Sequence, residues 1–153
     1  MGCGTPDAGD DAVGLLIADP LRGRLPQGVE IRTDTAGGVN LLHWCEGVEV
    51  LILVDAALAT NDFPAGQWRR FVFPADRHCL KTMALCGTHV LGLVQALELA
   101  EVVGCLPGEV LLFALAGSQF ELGVGLSPAV RASLAEVLDA LEAEVKRRLR
   151  TPA

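Results

Sequence analysis

The chain has 153 residues, one domain's worth of protein and enough to hide roughly 68–70% of its unfolded surface. It is 51% hydrophobic and 20% charged, with a mean hydropathy of +0.41, which excludes a disordered tail. No apolar run reaches about 18 residues, so a membrane span is excluded too. Twelve Lys and Arg against nineteen Asp and Glu leave a net charge of −7 and a pI near 4.8. Such a surface repels phosphate backbones and argues against a nucleic-acid partner. No basic segment followed by an apolar stretch opens the chain, so no signal peptide is expected. The five cysteines are odd in number and form no C-x-x-C pair. They read as reduced thiols of a cytoplasmic protein, not as a disulfide framework.

Gly2 to Asp11 reads as a polar, glycine-rich loop. Its acids favour a helix start near Asp10, because carboxylates suit the positive end of a helix dipole. That helix is expected to run to about Asp19, with Pro20 ending or kinking it. Gly28 to Thr33 alternates as a strand does, and Gly37-Gly38 turns the chain into a short helix, Val39 to Cys45. Val48 to Val54, VEVLILV, is the near-continuous aliphatic run of a strand covered on both faces and is expected to end at Asp55. Gln67 to Phe73, with two arginines, reads as an edge strand. Pro74 to Gly87 is expected to be a loop. Thr88 is a candidate N-cap for a helix from His89 to Val103, closed by Gly104. Glu109 to Ala116 is a second buried strand. After a glycine-rich loop, Ser127 caps and Pro128 opens a last helix. Its apolar stripe is Leu134, Val137, Leu138, Leu141, Val145 and Leu149. Strands alternating with helices predict a three-layer α/β/α sandwich around a mainly parallel central sheet.

Several residues carry possible chemistry. The loop GCGTPDAGDDAVG begins like a dinucleotide-binding turn, but Asp7 stands where the third glycine belongs. No Lys-Ser/Thr pair makes it a P-loop. Asp7, Asp10 and Asp11 would hold a phosphate badly, so the loop is either a metal or acid/base site or a solvated turn capping a helix. Asp55 falls at the carboxyl end of a strand, where open α/β sheets bind ligands; a turn residue or helix cap is the plainer reading. His89 opens a helix on the same expected edge. Asp11, Asp55 and His89 together form a ligand set suited to Zn, Ni, Mn or Fe with positions left open. Cys86 and His89 form a rival C-x-x-H pair. His43-Trp44-Cys45 reads as the buried face of a short helix, and His78-Cys79 as loop surface. Ser118, Ser127 and Ser133 lie in no nucleophile elbow, which argues against a serine hydrolase.

In four ordered segments the chain resembles the hydrogenase maturation endopeptidases, which trim the C-terminus of the nickel–iron hydrogenase large subunit. GCGTPDAGDDAVG is similar to the family's opening Gly-x-Gly-Asn loop with its acidic ending. LILVDAA resembles the strand that carries a metal-binding Asp. GTHVLGLVQAL resembles the Ser-x-His helix start, and ELGVGLSPAV the C-terminal Gly-Leu-Ser/Thr-Pro stretch. The departures are specific. Family members carry a hydrophobic strand before the first glycine, where this chain has Met1-Gly2. The loop Asn is Thr5, the Asp-Gly-Gly-Thr segment is Thr33-Asp34-Thr35-Ala36, and Pro-Glu-Ser has become Gly117-Ser118-Gln119.

The resemblance implies a single domain over residues 1–153 with a phosphorylase/hydrolase-like sheet of four to five strands. It implies a cytoplasmic endopeptidase, probed as an aspartyl protease or a metal-dependent one, acting on the precursor of a nickel–iron hydrogenase large subunit. The metal-binding residues would be Asp11, Asp55 and His89, with Asp11 and Asp55 also catalytic. Nickel would arrive with the substrate, and Zn or Cd would substitute in the free protein. A monomer is expected. The competing reading is a non-catalytic module that docks the immature subunit and checks its metal.

Overall fold

In this computed structural model the described residues are 1–83 and 92–150. Five strands form one sheet: β1 (Gly2–Cys3), β2 (Thr33–Asp34), β3 (Val50–Leu58), β4 (Trp68–Phe73) and β5 (Glu109–Gly117). Their order is β2-β1-β3-β5-β4. All neighbours are parallel except β4, which runs antiparallel to β5 at the edge. The helices are α1 (Val13–Arg22), α2 (Leu41–Cys45), α3 (Arg77–Thr82), α4 (Leu93–Val102) and α5 (Pro128–Arg150), with a 3-10 turn at Gly9–Ala12. Ile17 and Leu21 of α1 pack with Val137 and Leu141 of α5 on one face, against Val54, Ala56, Phe113 and Leu115. Leu41, Leu80, Leu93 and Leu97, from α2 to α4, cover Leu53, Ala57, Leu112 and Ala114 on the other. The alternation along β3 and β5 explains why both read as unbroken aliphatic runs: each face has its own helical cover.

The chain passes from β1 outward to β2 and then returns across β1 to β3. The strand order therefore reverses between β1 and β3, and a crevice opens at the carboxyl ends of strands at such a point. Close helix approach makes this crevice. A Cβ on Gly2 would lie 1.9 Å from the Gly14 carbonyl oxygen, and one on Gly14 2.3 Å from that of Cys3. Only glycine at both positions lets α1 lie against β1.

Several elements differ from expectation. Helix α1 continues through Pro20 to Arg22. The carbonyl that Pro20 leaves unbonded belongs to Leu16, which is exposed, so water can take its place. The strand foreseen over Gly28 to Thr33 is reduced to Thr33–Asp34, because β1 offers only Gly2 and Cys3 to pair with. Strand β3 does not stop at Asp55 but runs to Leu58, matched residue for residue by β5 as far as Gly117. The second helix begins at Leu41, and His43 on it is exposed; only Cys45 of the His43-Trp44-Cys45 trio is buried. Within the stretch expected to be loop, Arg77–Thr82 is helical. Leu80 is buried there, and Arg77 pairs with Glu98 and Glu101 of α4. His78 and Cys79 are exposed as expected, but on that helix. The described part of the following helix spans Leu93–Val102; Cys86, Thr88 and His89 lie outside the described residues. On α5, Val137 and Leu141 are buried as foreseen, whereas Leu149 is exposed. Ser127 caps that helix through Oγ, which accepts from Val130 N at 3.3 Å. Cys3, Cys45, Cys79 and Cys105 are free thiols.

The brevity of β1 leaves a gap at the amino edge. The Val50–Leu53 half of β3 is paired with β5 on one side only. The Met1 ammonium sits inside the sheet, donating to Ile52 O at 2.6 Å, while Val54 N donates to Met1 O at 2.9 Å. Beside it a cleft of about 560 Å³ is lined by Val29, Ile31, Val50, Ile52, Ile17 and Leu21, among others. Among the described residues no helix is long and apolar enough to cross a membrane.

Candidate functional site

At the opposite, carboxyl edge, four polar side chains gather at the crevice between β1 and β3. Register fixes three of them in one row. Cys3 pairs with Asp34, and Gly2 with Val54, so Cys3 stands level with Asp55. Paired residues share a sheet face. Asp34, Cys3 and Asp55 therefore stand side by side on the face covered by α2 and α4. The fourth, Asp11, comes from the 3-10 turn that follows β1. All are buried: Asp11 and Asp55 are 4% exposed, Cys3 and Asp34 3%.

Each carboxylate is held by one oxygen. Asp11 Oδ2 accepts from Thr5 N at 3.0 Å. Asp55 Oδ1 accepts from Ala56 N at 2.9 Å. Asp34 Oδ1 accepts from Ala36 N at 3.1 Å and Asn40 Nδ2 at 3.0 Å. Among the described residues, Asp11 Oδ1 and Asp34 Oδ2 are buried without a hydrogen-bond partner. Burial, opposed by the Ala56 amide and reinforced by the charge of Asp11, pushes the Asp55 carboxyl up to about 8. Burial and the charge of Asp55 keep the Cys3 thiol protonated well above its ordinary range. A thiol so held is a poor nucleophile. Asp55 thus feels the charge of Asp11, and its raised carboxyl can keep a proton near neutral pH.

Asp10, next to Asp11, plays a different part. It is fully buried. Its Oδ2 accepts from Ser118 N (2.8 Å) and Gln119 N (3.2 Å), and its Oδ1 from Ser127 N at 2.7 Å. Asp10 therefore ties the turn carrying Asp11 to the loop after β5 and to the start of α5. A Cβ on Gly117 would come within 2.6 Å of Asp10 Cβ, so glycine is needed there.

Of the residues foreseen as a trio, Asp11 and Asp55 come together at the crevice, and His89 lies outside the described residues. Among the described residues no three His, Cys, Asp or Glu side chains are placed to hold one ion. The rival Cys86–His89 pair also lies outside them. Asp7 takes a left-handed conformation (φ 57°) in the loop and is exposed. Sequence reasoning passed over Asp34 and Cys3. The signal for both was register: each stands one residue past a glycine or threonine at a strand end, on strands too short to be read by periodicity. The cleft at the amino edge reaches Gly2 and Val54, the chain neighbours of Cys3 and Asp55.

The fold and the buried acid row define an α/β protein with a candidate site at the strand-order reversal. The model of the HycI hydrogenase maturation protease family matches residues 24–144, and the chain belongs to that family of peptidases. No curated protein sequence matches it. Among solved structures it is similar to the hydrogenase maturating endopeptidase HybD from E. coli. The identity is 25% and the TM-score 0.81, over 96% of this chain and 90% of that one. It has the fold of the [NiFe] hydrogenase maturation protease HybD from Thermococcus kodakarensis, with 21% identity and a TM-score of 0.73, over 94% and 95% of the two chains. A hydrogenase 2 maturation peptidase from a Thaumarchaeota archaeon is similar at 26% identity and a TM-score of 0.66, over 94% of each chain.

Proposed function

We propose that this protein is an endopeptidase that removes a C-terminal peptide from the precursor of a nickel–iron hydrogenase large subunit once nickel has been inserted. The nickel is part of the substrate. In this reading Asp11, Asp55 and His89 recognise it, and the free protein binds Ni²⁺, Zn²⁺ or Cd²⁺ at the same place. The observation that carries the reading is the buried Asp11–Asp55 pair, with Asp11 Oδ1 lacking a donor among the described residues. Oxygen-rich, negatively charged and open to a further ligand, such a pair suits a divalent late transition metal. Helix α4, which follows His89 in sequence, packs on the face that carries Asp55.

In a second version, with no metal held between the two acids, the same pair supplies hydrolytic groups, because a carboxylate that ligates nickel does not also keep a proton. Asp11, held by Thr5 N, acts as the base that takes a proton from water as its oxygen attacks the scissile carbonyl. Asp55, whose raised pKa keeps a proton on it near neutrality, returns one to the leaving amide nitrogen. The protein acts as a monomer in the cytoplasm.

The test mixes wild type and Asp55→Asn with precursor, with and without nickel, and weighs the large subunit by mass spectrometry. Wild type is expected to shorten only nickel-loaded precursor, and the folded variant to shorten neither. Equal trimming by both proteins would reduce Asp55 to a structural residue. Binding without any mass loss would make the protein a docking module instead.

A further inference from the structure

The loop that follows β5 is fastened to the turn that carries Asp11. Asp10 N donates to Gln119 O at 2.6 Å, Gly9 N to Val124 O at 3.2 Å, and Gly123 N to Asp7 O at 2.7 Å. A Cβ on Gly9 would lie 2.2 Å from Gln119 O, so the two segments touch. Across the loop, Gln119 Nε2 donates to Gly125 O at 2.8 Å. Phe120 and Leu126, near its two ends, pack against the core. Between them Leu122 is 76% exposed and Val124 37%.

A single apolar side chain in water is ordinary. These two differ in being held there. The loop is pinned at both ends, braced across its middle and hydrogen-bonded to a buried turn, which leaves it little freedom to fold Leu122 inward. A contact surface fixed in advance avoids the ordering cost that a free loop incurs on binding. Its place matters as well. Val124 bridges to Ala8, whose carbonyl accepts from Asp11 N at 3.1 Å. One strand spacing of about 5 Å and one 3-10 turn of about 6 Å put Val124 within roughly 11 Å of Asp11 along the backbone. An extended polypeptide advances about 3.3 Å per residue, so a chain cut beside Asp11 and Asp55 passes this loop within about five residues of the cut. The acid row offers such a chain carboxylates and little apolar area, and the loop beside it supplies that area.

We propose that Leu122, with Val124 beside it, is a specificity-determining residue: it receives an apolar side chain of the polypeptide being processed, close to the bond that is cut. Gln119 is then a positioning residue, which through Gly125 O holds the loop so that Leu122 stands out beside the crevice. The proposal rests on the endopeptidase reading for the identity of the polypeptide, and on the loop geometry for the contact.

The experiment uses the full-length protein and the nickel-loaded precursor. Apolar precursor residues within about five positions of the cut, on either side, are changed one at a time to alanine. KM, kcat and the precursor dissociation constant are measured for wild type, Leu122→Ser, Leu122→Met, Gln119→Met and Val102→Ser, with melting temperature as the check on folding. Leu122→Ser is expected to raise KM and Kd roughly fivefold to fiftyfold, the worth of partly burying one aliphatic side chain, with kcat changed less than about threefold. Because Leu122 touches no core, the melting temperature should stay within about 2 °C of wild type. Leu122→Met should restore most of the affinity. One alanine precursor should show the same loss with wild type and no further loss with Leu122→Ser. Gln119→Met keeps the length of the side chain and loses its donor; it should raise KM about twofold to fivefold and add nothing to Leu122→Ser. Val102, 83% exposed at the end of α4, is the control, and Val102→Ser should change none of these constants.

Equal constants for wild type and Leu122→Ser, or a loss indifferent to every apolar residue of the precursor, would overturn the proposal. So would an equal loss in Val102→Ser, which would make the effect one of surface hydrophobicity at large. If Leu122→Ser does not fold, wild type with the alanine series decides: a series with no weakened member refutes the contact. If wild type binds precursor without cutting it, the endopeptidase reading fails, and the dissociation constants still judge Leu122. Absence of binding as well as cutting overturns both.

Discussion

Removing the charge of Asp55 should make the protein more stable at high pH, and the gain should disappear in acid. The Asp55 carboxyl moves from 3.8 to about 8 on folding, chiefly through burial. Between those values the native state holds a proton that the unfolded chain has lost. Protons bound in excess by the native state make stability fall as pH rises. The contribution is therefore complete below about pH 4 and lost as pH passes through about 8. At about 1.36 kcal/mol per unit, a shift of about four units sets an upper limit of about 5–6 kcal/mol on the loss. Local relaxation and water entry reduce such penalties, so about 2–4 kcal/mol is expected. In Asp55→Asn the Asn Oδ1 can still accept from the Ala56 amide, and its Nδ2 can donate toward the Asp11 carboxylate. Urea unfolding of both proteins from pH 4.5 to 8.5, with a chelator present, measures the difference. All other acids and the three histidines are common to both chains and cancel to first order. Wild type should lose about 2–4 kcal/mol relative to the variant across this range. Parallel stability curves would refute the burial argument and with it the assignment of Asp55 as the proton-carrying member of the pair.

Asp10→Ala leaves three backbone N–H groups, those of Ser118, Gln119 and Ser127, without their acceptor. It should cost roughly 3–5 kcal/mol in unfolding free energy and lower precursor cleavage in whatever fraction stays folded; a loss below about 1 kcal/mol would show that water replaces the carboxylate without strain.

Length and hydrophobic pattern made β3, β5 and α5 legible, because each buries a long continuous stretch of apolar side chains. VEVLILV and EVLLFALA are continuous since both of their faces are covered, and the α5 stripe at Val137 and Leu141 faces one layer. The elements that went astray are those whose extent depends on a partner. Gly28 to Thr33 alternates well enough to pair, but the two residues of β1 give it nothing to pair with beyond Thr33. Asp55 marks the end of the aliphatic run, not of the strand, because β5 continues beside it to Gly117. Pro20 sits in α1 without stopping it because the carbonyl it strands belongs to an exposed residue. In each case local chemistry was read correctly and the neighbouring strand or solvent decided the outcome.

The site divides along the same line. Asp11 and Asp55 were visible because each stands next to a strong local pattern, the glycine loop or the buried strand. Asp34 follows only a single threonine of strand, and nothing around it in sequence announces a carboxylate that will be buried. Its place is set by three facts that are not local: β2 pairs in parallel with β1, β1 lies between β2 and β3, and the strand order reverses at that point. Once these hold, residues 3, 34 and 55 must share one row and one face, since register in a sheet fixes the face on which a side chain stands. The same topology gives the row its chemistry. Loops diverge from the carboxyl edge at a reversal and leave the crevice uncovered by crossover helices, so charges that would otherwise be disfavoured in a hydrophobic interior lie where a ligand can meet them. Asp10, beside the acid row, illustrates the contrast: its carboxylate has three donors and holds a loop, whereas among the described residues Asp11 and Asp34 each keep an oxygen without one. Saturation separates the acid that builds the site from the acids that remain free to bind.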